Sequence, residues 1–361
     1  MTVPLLVDAA SPRRLSPRSI ILVMSGVSSI VLATVIALLP VPYVIFSPGP
    51  VRNTLGDAPD GNPLIAVDGT DLYPTSGELN LTTISVTGGP LGDLSILDFL
   101  QAWIDPTRSV RPVETVYPAE QTRDEAEQEG AAEMQSAQQA AAVAALAAAG
   151  IDVPVRLQVT VVTADAPAGD VIEVDDVIVA FDGVAIDGSG NLVDLVRQRS
   201  AGDVVPITVD RGGERLTLDV ELSQGDEGTI IGVLLSPQYN LPFQVDYDVA
   251  GIGGPSAGMM FALGIYDKIT EGELTGGTVV AGTGTITEDG AVGPIDGIQQ
   301  KMIAARRHGA SWFLAPADNC PDVSAAVPEG LQVIRIAQFD DAVAAVEAIA
   351  DGDTAGLPDC G

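Results

Sequence analysis

The amino-acid sequence predicts an α+β protein preceded by one apolar helix, and three observations lead to this prediction. Residues 19–39 carry no charge and consist mostly of Ile, Leu, Val, Ala and Ser, a composition typical of a membrane-spanning helix. Residues 155–225 contain short β-branched runs separated by turns, which predicts strands. Residues 252–301 contain glycine-rich turns followed by apolar positions at helical spacing. The length of 361 residues leaves room for two or three domains.

The N-terminal apolar run is predicted to anchor the protein. At about 1.5 Å per residue it is long enough to cross a hydrocarbon core of about 30 Å. Three arginines precede it (Arg13, Arg14 and Arg18), so the positive-inside rule predicts a cytoplasmic N-terminus. A cleaved signal peptide is the alternative, but residues 40–46 are bulky and lack the small residues of a cleavage site. We therefore expect residues 1–18 in the cytoplasm, a single plasma-membrane anchor at 19–42, and an extracytoplasmic remainder.

The charge of the chain excludes several classes of partner. It carries 49 Asp and Glu against 17 Lys and Arg, a formal net charge of −32. This excess disfavours nucleic acid and anionic lipid surfaces as partners. The single histidine and the two cysteines are not clustered, so we expect no metal site. The chain lacks a G-x-x-x-x-G-K-S/T segment, so we expect no ATP site and no cofactor.

The two cysteines, Cys320 and Cys360, both fall on the predicted extracytoplasmic side. An oxidising compartment favours disulfides, and a bridge between them would pin the C-terminal tail, residues 349–361, to the preceding domain. Two free thiols are the alternative.

Residues 43–150 form a segment of mixed pattern. The predicted elements are an irregular Pro- and Gly-rich connection at 47–63, a strand at 77–86, a helix at 94–104, a loop at 108–118 and a helix at 121–149. The last helix is rich in alanine and ends at Gly150. Met134, Ala137, Ala141 and Ala145 form one apolar side of this helix, which we expect to face a core.

Residues 151–226 are predicted to form a β-rich domain. Its predicted elements are strands at 158–162 and 176–181, a short helix at 166–169, a helix at 192–198 and a hairpin that joins 205–209 to 216–222. This order resembles a PDZ domain of the bacterial protease-associated type, although the glycine expected before Asp176 is Asp175 here. The resemblance implies capture of extended peptides by β-augmentation, but the peptide-binding loop is not evident. A spacer that only shapes access to another site is the alternative.

A serine between small residues marks the segment with the clearest chemistry. Gly253, Gly254 and Gly258 allow another backbone to come close, and Pro255 restricts φ before the turn. The apolar spacing that follows Ser256 predicts a partly buried helix. Ser256 would then lie at the N-terminal end of that helix, where free N–H groups can stabilise an oxyanion.

A serine nucleophile needs a base, and few residues of this chain could serve. His308 lies in a basic last turn followed by glycine, which is typical of a helix C-terminus. Lys268 is predicted on the same helix as Ser256, about 18 Å away along the axis. Lys301 lies on a different predicted helix, and a desolvated lysine can accept a proton whereas arginine cannot. On the residues alone, a solvated surface lysine remains an equal alternative for Lys301.

Two motifs in this region resemble the proteolytic domain of the Lon protease family. The segment 254–258 is similar to the family's nucleophile motif, and the segments 283–287 and 290–301 match its second motif in order and spacing. The resemblance implies that Ser256 is the nucleophile, that Lys301 is its base and that Thr283 holds the lysine amine. Pro316, Asp318 and Asn319 resemble the strand-end segment that follows. This sequence departs from the family pattern at one position: three residues before the serine, where the family commonly has an acidic residue, it has Gly253.

The resemblance also implies the extent of the domain. Its catalytic part is expected at 227–348, and segments 77–82 and 134–146 resemble its opening strand and helix. The PDZ-like part would then interrupt the proteolytic domain, with a separate helical spacer as the alternative. The family forms rings, which implies a homo-oligomer.

The function predicted from these features is a membrane-anchored, ATP-independent serine endopeptidase with a Ser–Lys dyad, acting on extracytoplasmic proteins or peptides. A PDZ adaptor with a non-proteolytic Lon-like scaffold is the alternative from a different class. A Ser–Lys acyltransferase or self-processing protein is a third reading, because the acyl-enzyme step is shared.

Overall fold

The structure is a computed structural model that describes residues 16–37, 39–163, 166–186, 188–226, 228–323 and 326–360. The α-helices within these ranges are α1 (Pro17–Ala37), α2 (Ile96–Ile104), α3 (Arg123–Ala148), α4 (Ser189–Arg197), α5 (Gly258–Ile269), α6 (Ile298–Arg307), α7 (Cys320–Val323) and α8 (Phe339–Asp351). The strands are β1 (Tyr43–Asn53), β2 (Ile65–Asp68), β3 (Glu78–Gly88), β4 (Ser109–Pro112), β5 (Val155–Val162), β6 (Val177–Phe181), β7 (Val184–Ala185), β8 (Val204–Arg211), β9 (Glu214–Glu221), β10 (Ser223–Gly225), β11 (Gly228–Ile230), β12 (Val233–Tyr239), β13 (Gln244–Tyr247), β14 (Val279–Gly282), β15 (Thr285–Ile286), β16 (Val292–Gly293), β17 (Trp312–Pro316) and β18 (Gln332–Ile336).

The chain divides into two units. The first contains residues 1–49 and 84–129, and the second contains residues 50–83 and 130–361. Strands β1 and β3 and helix α3 each run from one unit into the other.

In the first unit, α1 is long and apolar enough to span a membrane. Helix α1 spans Pro17–Ala37, so it is shifted by two residues toward the N-terminus relative to the apolar run at 19–39. Its described side chains are almost all exposed, so no protein core in this unit accounts for its apolar composition.

The first unit also contains a small layer formed by β1, β4 and α2. Strand β1 pairs antiparallel with β4, with Tyr43 opposite Pro112. Helix α2 begins at a capping box in which Ser95 and Asp98 bond each other's backbone N–H groups. Its inner side packs on this ladder through Ala102 and Phe99.

The second unit contains a parallel sheet in the order β18-β17-β14-β3. One face packs against α3, α5 and α8 in the main core, to which Val280 and Leu314 contribute. The opposite face packs against α6 through Ala281, Phe313 and Ala315. This alternation along β14 and β17 follows from the two-residue period of a strand. The parallel pairing places the ends of β14 and β17 at the same edge of the sheet.

Helix α3 joins this core through small side chains. The predicted apolar side is buried, with Met134 and Ala137 each 4% exposed and Ala141 and Ala145 fully buried. Strand β3 pairs with β14, and α3 packs in the same core as α5. Segments before and after the PDZ-like part therefore share one core.

The β-rich part forms a sheet in the order β12-β5-β6-β8-β9 around its own apolar core. The predicted strands, helix and hairpin are confirmed, and the hairpin turn is made by Gly212 and Gly213, both with positive φ. Asp175 has a φ of 74°, the left-handed conformation that explains why glycine is expected at this position. The sheet continues past residue 226, where the sequence predicts the end of the domain, because β12 pairs with β5.

Two predicted irregular segments are wrong in part. Strand β1 extends to Asn53, inside the predicted connection 47–63, and β4 lies inside the predicted loop 108–118. Proline and glycine reduce strand propensity locally. Residues 109–112 of β4 pair with residues 43–46 of β1, and β1 also lies beside β3 in the sheet. Strands distant in sequence therefore supply backbone hydrogen bonds that the local pattern does not show.

A buried carboxylate in the β-rich domain leads to a stability prediction. The carboxylate of Asp176 is fully buried and accepts two hydrogen bonds from Arg211, at 2.7 and 2.8 Å, and one from the N–H of Glu173. Burial alone would raise the pKa of Asp176, but these bonds outweigh it and hold the pKa below its usual value. We expect Arg211→Met to destabilise this domain by about 3 kcal/mol, because it leaves a buried charge without its partner.

Hydrogen exchange followed by mass spectrometry would measure this effect as exchange about a hundredfold faster in β6 and β8. The exposed Arg215 on the same hairpin provides the control, as Arg215→Met removes the same charge without a buried partner. Equal exchange rates in the two variants would contradict the prediction.

Candidate active site

Ser256 lies at the N-terminal end of α5, after a turn that brings two backbones together. Gly254 has a φ of 84°, and its N–H donates to the carbonyl of Gly130 on α3 at 2.9 Å. The carbonyl of Pro255 accepts from the N–H of Gly258 at 3.2 Å. Sequence reasoning did not include Gly130 in the site, although a glycine inside a long helical pattern indicates a close approach.

Gly258 allows α5 to lie against the strand that follows β14. A Cβ atom at this position would lie 2.8 Å from Ile286 Cγ2 and 3.1 Å from Ile286 N. The N–H of Met259 donates to the carbonyl of Gly284 at 3.1 Å. The close backbone approach predicted for this glycine is therefore present.

Thr283 connects the end of β14 to the serine segment. Its hydroxyl donates to the carbonyl of Ser256 at 2.9 Å, and the N–H of Gly284 donates to the same carbonyl at 2.9 Å. The N–H of Thr283 donates to the carbonyl of Leu314 at 3.2 Å, which ties it to β17. Thr283 is fully buried.

Lys301 reaches this cluster from α6. Its Nζ donates to Ser256 Oγ at 2.7 Å and to Thr283 Oγ1 at 2.9 Å. Gly297, in the left-handed conformation, is the N-cap of α6, and Lys301 lies in the first turn of this helix with its side chain buried. Only 1% of its surface is exposed. The structure thus brings together the three residues of the predicted Ser–Thr–Lys set.

Burial lowers the pKa of Lys301 to about 7, although the nearby carboxylate of Asp296 acts in the opposite direction. An amine with this pKa is substantially neutral near pH 7 and has a lone pair that can accept a proton. The hydroxyl groups of Ser256 and Thr283 are its hydrogen-bond partners.

The loop before α6 is held by Asn319. Its side chain accepts from the N–H of Ile295 and donates to the carbonyl of the same residue, both at 2.9 Å. The sequence places Asn319 in the strand-end segment after β17 without a role. The structure shows that it ties the chain before α6, at Ile295, to the segment that follows β17.

The other two predicted base candidates lie elsewhere. Lys268 is in the last turn of α5, about 18 Å along the axis from Ser256. His308 is the exposed C-cap of α6, about 10 Å along that helix from Lys301. Its N–H donates to the carbonyls of Ala304 and Ala305, as the helix-end interpretation predicts.

Cys320 and Cys360 form a disulfide that joins the C-terminal tail to the start of α7. Within the described ranges, no group of three or more His, Cys, Asp or Glu side chains is placed to hold a metal ion.

A second candidate site lies in the β-rich domain, between α4 and the edge strand β12. A cavity of about 350 Å³ there is lined mainly by apolar side chains, including Leu192, Val193, Val196, Ile231 and Val233. Gly232 has a φ of 90°, and a Cβ atom at this position would lie 2.5 Å from Ala166 Cβ. Sequence reasoning missed this loop, which the glycine between the β-branched residues Ile231 and Val233 could have indicated.

Two segments of the chain match known protein families. Residues 249–348 match the Lon protease (S16) C-terminal proteolytic domain, and residues 131–222 match the PDZ domain. A Lon protease of Lachnoclostridium phytofermentans is 37% identical over 91 residues, which cover 24% of this chain and 11% of that protein. A Lon protease of Campylobacter concisus is 27% identical over 180 residues, which cover 48% of this chain and 22% of that protein. This chain therefore spans between 11% and 22% of the length of these two relatives.

Among solved structures, the PDZ domain of the SdrC-like protein from Listeria monocytogenes is 31% identical and covers 22% of this chain and 85% of its own, with a TM-score of 0.21. Ser256, Thr283 and Lys301 all lie inside the segment that matches the Lon domain. The predicted α+β fold is confirmed, and two separate segments of the chain match the Lon proteolytic domain and the PDZ domain.

Proposed function

We propose that this protein is a membrane-anchored, ATP-independent serine endopeptidase in which Ser256 is the nucleophile and Lys301 the base. The observation that carries the proposal is the buried lysine amine 2.7 Å from the serine hydroxyl. The match of residues 249–348 to the Lon proteolytic domain supports peptide-bond hydrolysis as the chemistry.

The first step would form an acyl-enzyme. Neutral Lys301 takes the proton of the Ser256 hydroxyl as Oγ attacks the substrate carbonyl carbon. Backbone N–H groups around Ser256 would stabilise the negative charge on the carbonyl oxygen. The protonated lysine then gives its proton to the leaving amine as the peptide C–N bond breaks.

The second step would release the acyl group. A water molecule takes the place of the leaving amine, gives a proton to neutral Lys301 and attacks the ester carbon. The Ser256 oxygen leaves and recovers its proton from the lysine. Thr283 would hold the amine throughout, because its hydroxyl bonds both Nζ and the serine carbonyl.

The proposal is tested with the full chain in detergent, an unfolded protein and a mixed peptide library, without nucleotide, with products identified by mass spectrometry. We expect cleavage by the wild type and none by Ser256→Ala, with Ser311→Ala, which removes an exposed serine hydroxyl, as the matched control. Cleavage that persists in Ser256→Ala would refute the assignment. Absence of both cleavage and labelling of Ser256 by a serine-directed probe would favour the PDZ adaptor. Dependence on added ATP would refute the ATP-independent mechanism.

Thr283 is expected to act as a positioning residue. We expect Thr283→Val to lower kcat by about 10- to 100-fold, because loss of one buried hydrogen-bonding hydroxyl costs about 1–3 kcal/mol. Thr82→Val is the matched control, since the buried Thr82 hydroxyl also donates to a backbone carbonyl, that of Gly282 at 3.0 Å, in the same unit. A similar loss in both variants would indicate a structural effect and not lysine positioning.

The PDZ domain is proposed to capture extended peptides. Strand β12 lies at the edge of its sheet beside the apolar cavity, so a peptide could add as a further strand and place side chains in that cavity. We expect Val193→Glu, at the cavity, to abolish binding of library peptides measured by fluorescence anisotropy. Val204→Glu, at an exposed valine that does not line the cavity, should leave binding unchanged. Equal affinity for both variants would contradict this use of the cavity.

The anchor is proposed to be α1, with the proteolytic part outside the cytoplasm. Its length and apolar composition support spanning, and Arg18, at the helix start, supports the orientation. The full chain should resist extraction from membranes by alkaline carbonate. External protease should digest the folded part of the chain in spheroplasts and leave it intact in inverted vesicles. The reverse accessibility would overturn the orientation.

A further inference from the structure

Helix α2 has an apolar side that the protein leaves uncovered. Leu97, Leu100, Trp103 and Ile104 are 49%, 51%, 69% and 80% exposed. Leu97, Leu100 and Ile104 follow i, i+3, i+7 spacing, so they form one stripe, and Trp103 borders it. The inner side of the same helix is covered, because Ala102 is buried and Phe99 packs on the ring of Tyr43 at 4.8 Å. The exposed stripe is therefore not required by the packing of this unit.

Backbone bonds tie the start of α2 to the residues that follow α1 in the first unit. The N–H of Val41 donates to the carbonyl of Leu94 at 2.9 Å, and Pro40 forms an isolated antiparallel bridge with Ser95, the N-cap of α2. Only two residues separate Pro40 from the last residue of α1, Ala37. The chain can cover at most about 10 Å in that interval. Pro40, which is bridged to the N-cap of α2, therefore lies within about 10 Å of the end of the proposed membrane anchor.

We propose that α2 lies in the membrane surface, with Leu97, Leu100, Trp103 and Ile104 inserted at the boundary between head groups and acyl chains. The inference rests on the proposed anchoring by α1. A tryptophan beside aliphatic residues is the composition that favours this boundary. The helix itself carries a single charge, Asp98, on a different side from the stripe. The apolar surface, and not attraction to anionic lipid, would hold it there, so neutral lipid suffices.

Such placement has a consequence for the whole first unit. The unit would meet the bilayer at two points, the end of α1 and the side of α2, and the membrane would limit its rotation about the anchor. A single flexible connection would not impose this limit.

Trp103 itself provides the measurement, because the chain contains only one other tryptophan, Trp312. The full chain with Trp312→Phe is reconstituted into phosphatidylcholine vesicles that contain lipids brominated near the head-group end of the acyl chains. We expect strong quenching of Trp103 by the brominated lipid and weak quenching by aqueous acrylamide. Trp103→Phe, which leaves Trp312 as the only tryptophan, should show no quenching by the lipid.

Two sets of charged substitutions sharpen the test. In the Trp312→Phe background, adding Leu97→Glu, Leu100→Glu and Ile104→Glu should abolish lipid quenching of Trp103. Adding Val184→Glu and Val204→Glu, at exposed valines of the PDZ domain, should preserve it. Equal quenching in both sets would overturn the proposal.

Flotation of the vesicles separates the failure of this inference from the failure of the anchor. Protein that floats with the vesicles while Trp103 is quenched by acrylamide and not by lipid would overturn the α2 placement alone. Trp103 shielded from both quenchers, with crosslinking between chains through α2, would assign the stripe to a second copy and also overturn it. Protein that does not float would refute the proposed anchor, and the inference with it.

Discussion

Replacement of Lys301 by methionine is expected to reduce kcat/KM for peptide hydrolysis by at least about a thousandfold. Methionine is close to lysine in length but cannot accept a proton, so Ser256 would lose its base while the volume between Thr283 and Ser256 stays filled. The rate is measured on the peptide identified as the best substrate. Lys268→Met is the matched control, since it removes the only other lysine, which is half-buried on α5. A comparable loss in both variants would show that the effect is not specific to the base.

The same variant should change how stability depends on pH. Burial lowers the pKa of Lys301 from 10.5 to about 7 in the folded protein. Between these values the unfolded lysine holds a proton that the folded one has released, so the free energy of unfolding of the wild type rises with pH. The expected slope is up to about 1.4 kcal/mol per pH unit within this window. Lys301→Met should lack this contribution, as measured by denaturant unfolding at pH 7.5 to 9.5. Equal slopes for the two proteins would argue against a buried, neutral lysine.

The value of kcat/KM for peptide hydrolysis is expected to fall steeply as the pH is lowered below 7. Only neutral Lys301 can act as a base, and its pKa of about 7 means that the neutral fraction falls about tenfold per pH unit below pH 7. We expect kcat/KM at pH 5 to be about a hundredth of its value on the alkaline plateau. The profile is measured from pH 5 to pH 9 on one peptide, with circular dichroism at each pH to establish that the protein is folded.

A second pH–rate profile distinguishes Lys301 from His308 as the base. His308→Gln should leave the curve unchanged, because His308 is an exposed helix cap far from Ser256. A profile that stays flat down to pH 5 would count against Lys301. A curve that changes in His308→Gln would assign the titration to the histidine.

Local sequence patterns predicted the parts of the fold that depend on residues close to one another in the sequence. The apolar run of α1, the alanine-rich α3 and the hairpin at Gly212 and Gly213 each follow from composition, helical spacing or turn chemistry. The β1–β4 ladder and the addition of β12 to the PDZ sheet could not be predicted in this way. Their partners lie far apart in sequence, and a strand at a sheet edge has no local signal for its partner.

The candidate site divides along the same line. Sequence alone supplied a serine after a glycine turn and a chain with only two lysines, and the resemblance selected Ser256 and Lys301 from them. The residues alone did not decide whether Lys301 is a solvated surface lysine or a buried base, because burial depends on tertiary packing. The tertiary structure decided this question: Gly258 lets α5 approach β15, Asn319 holds the loop before α6, and the amine is enclosed. Desolvation in that enclosure lowers the pKa of the amine. The size of this desolvation depends on the folded packing, so a sequence pattern does not predict it.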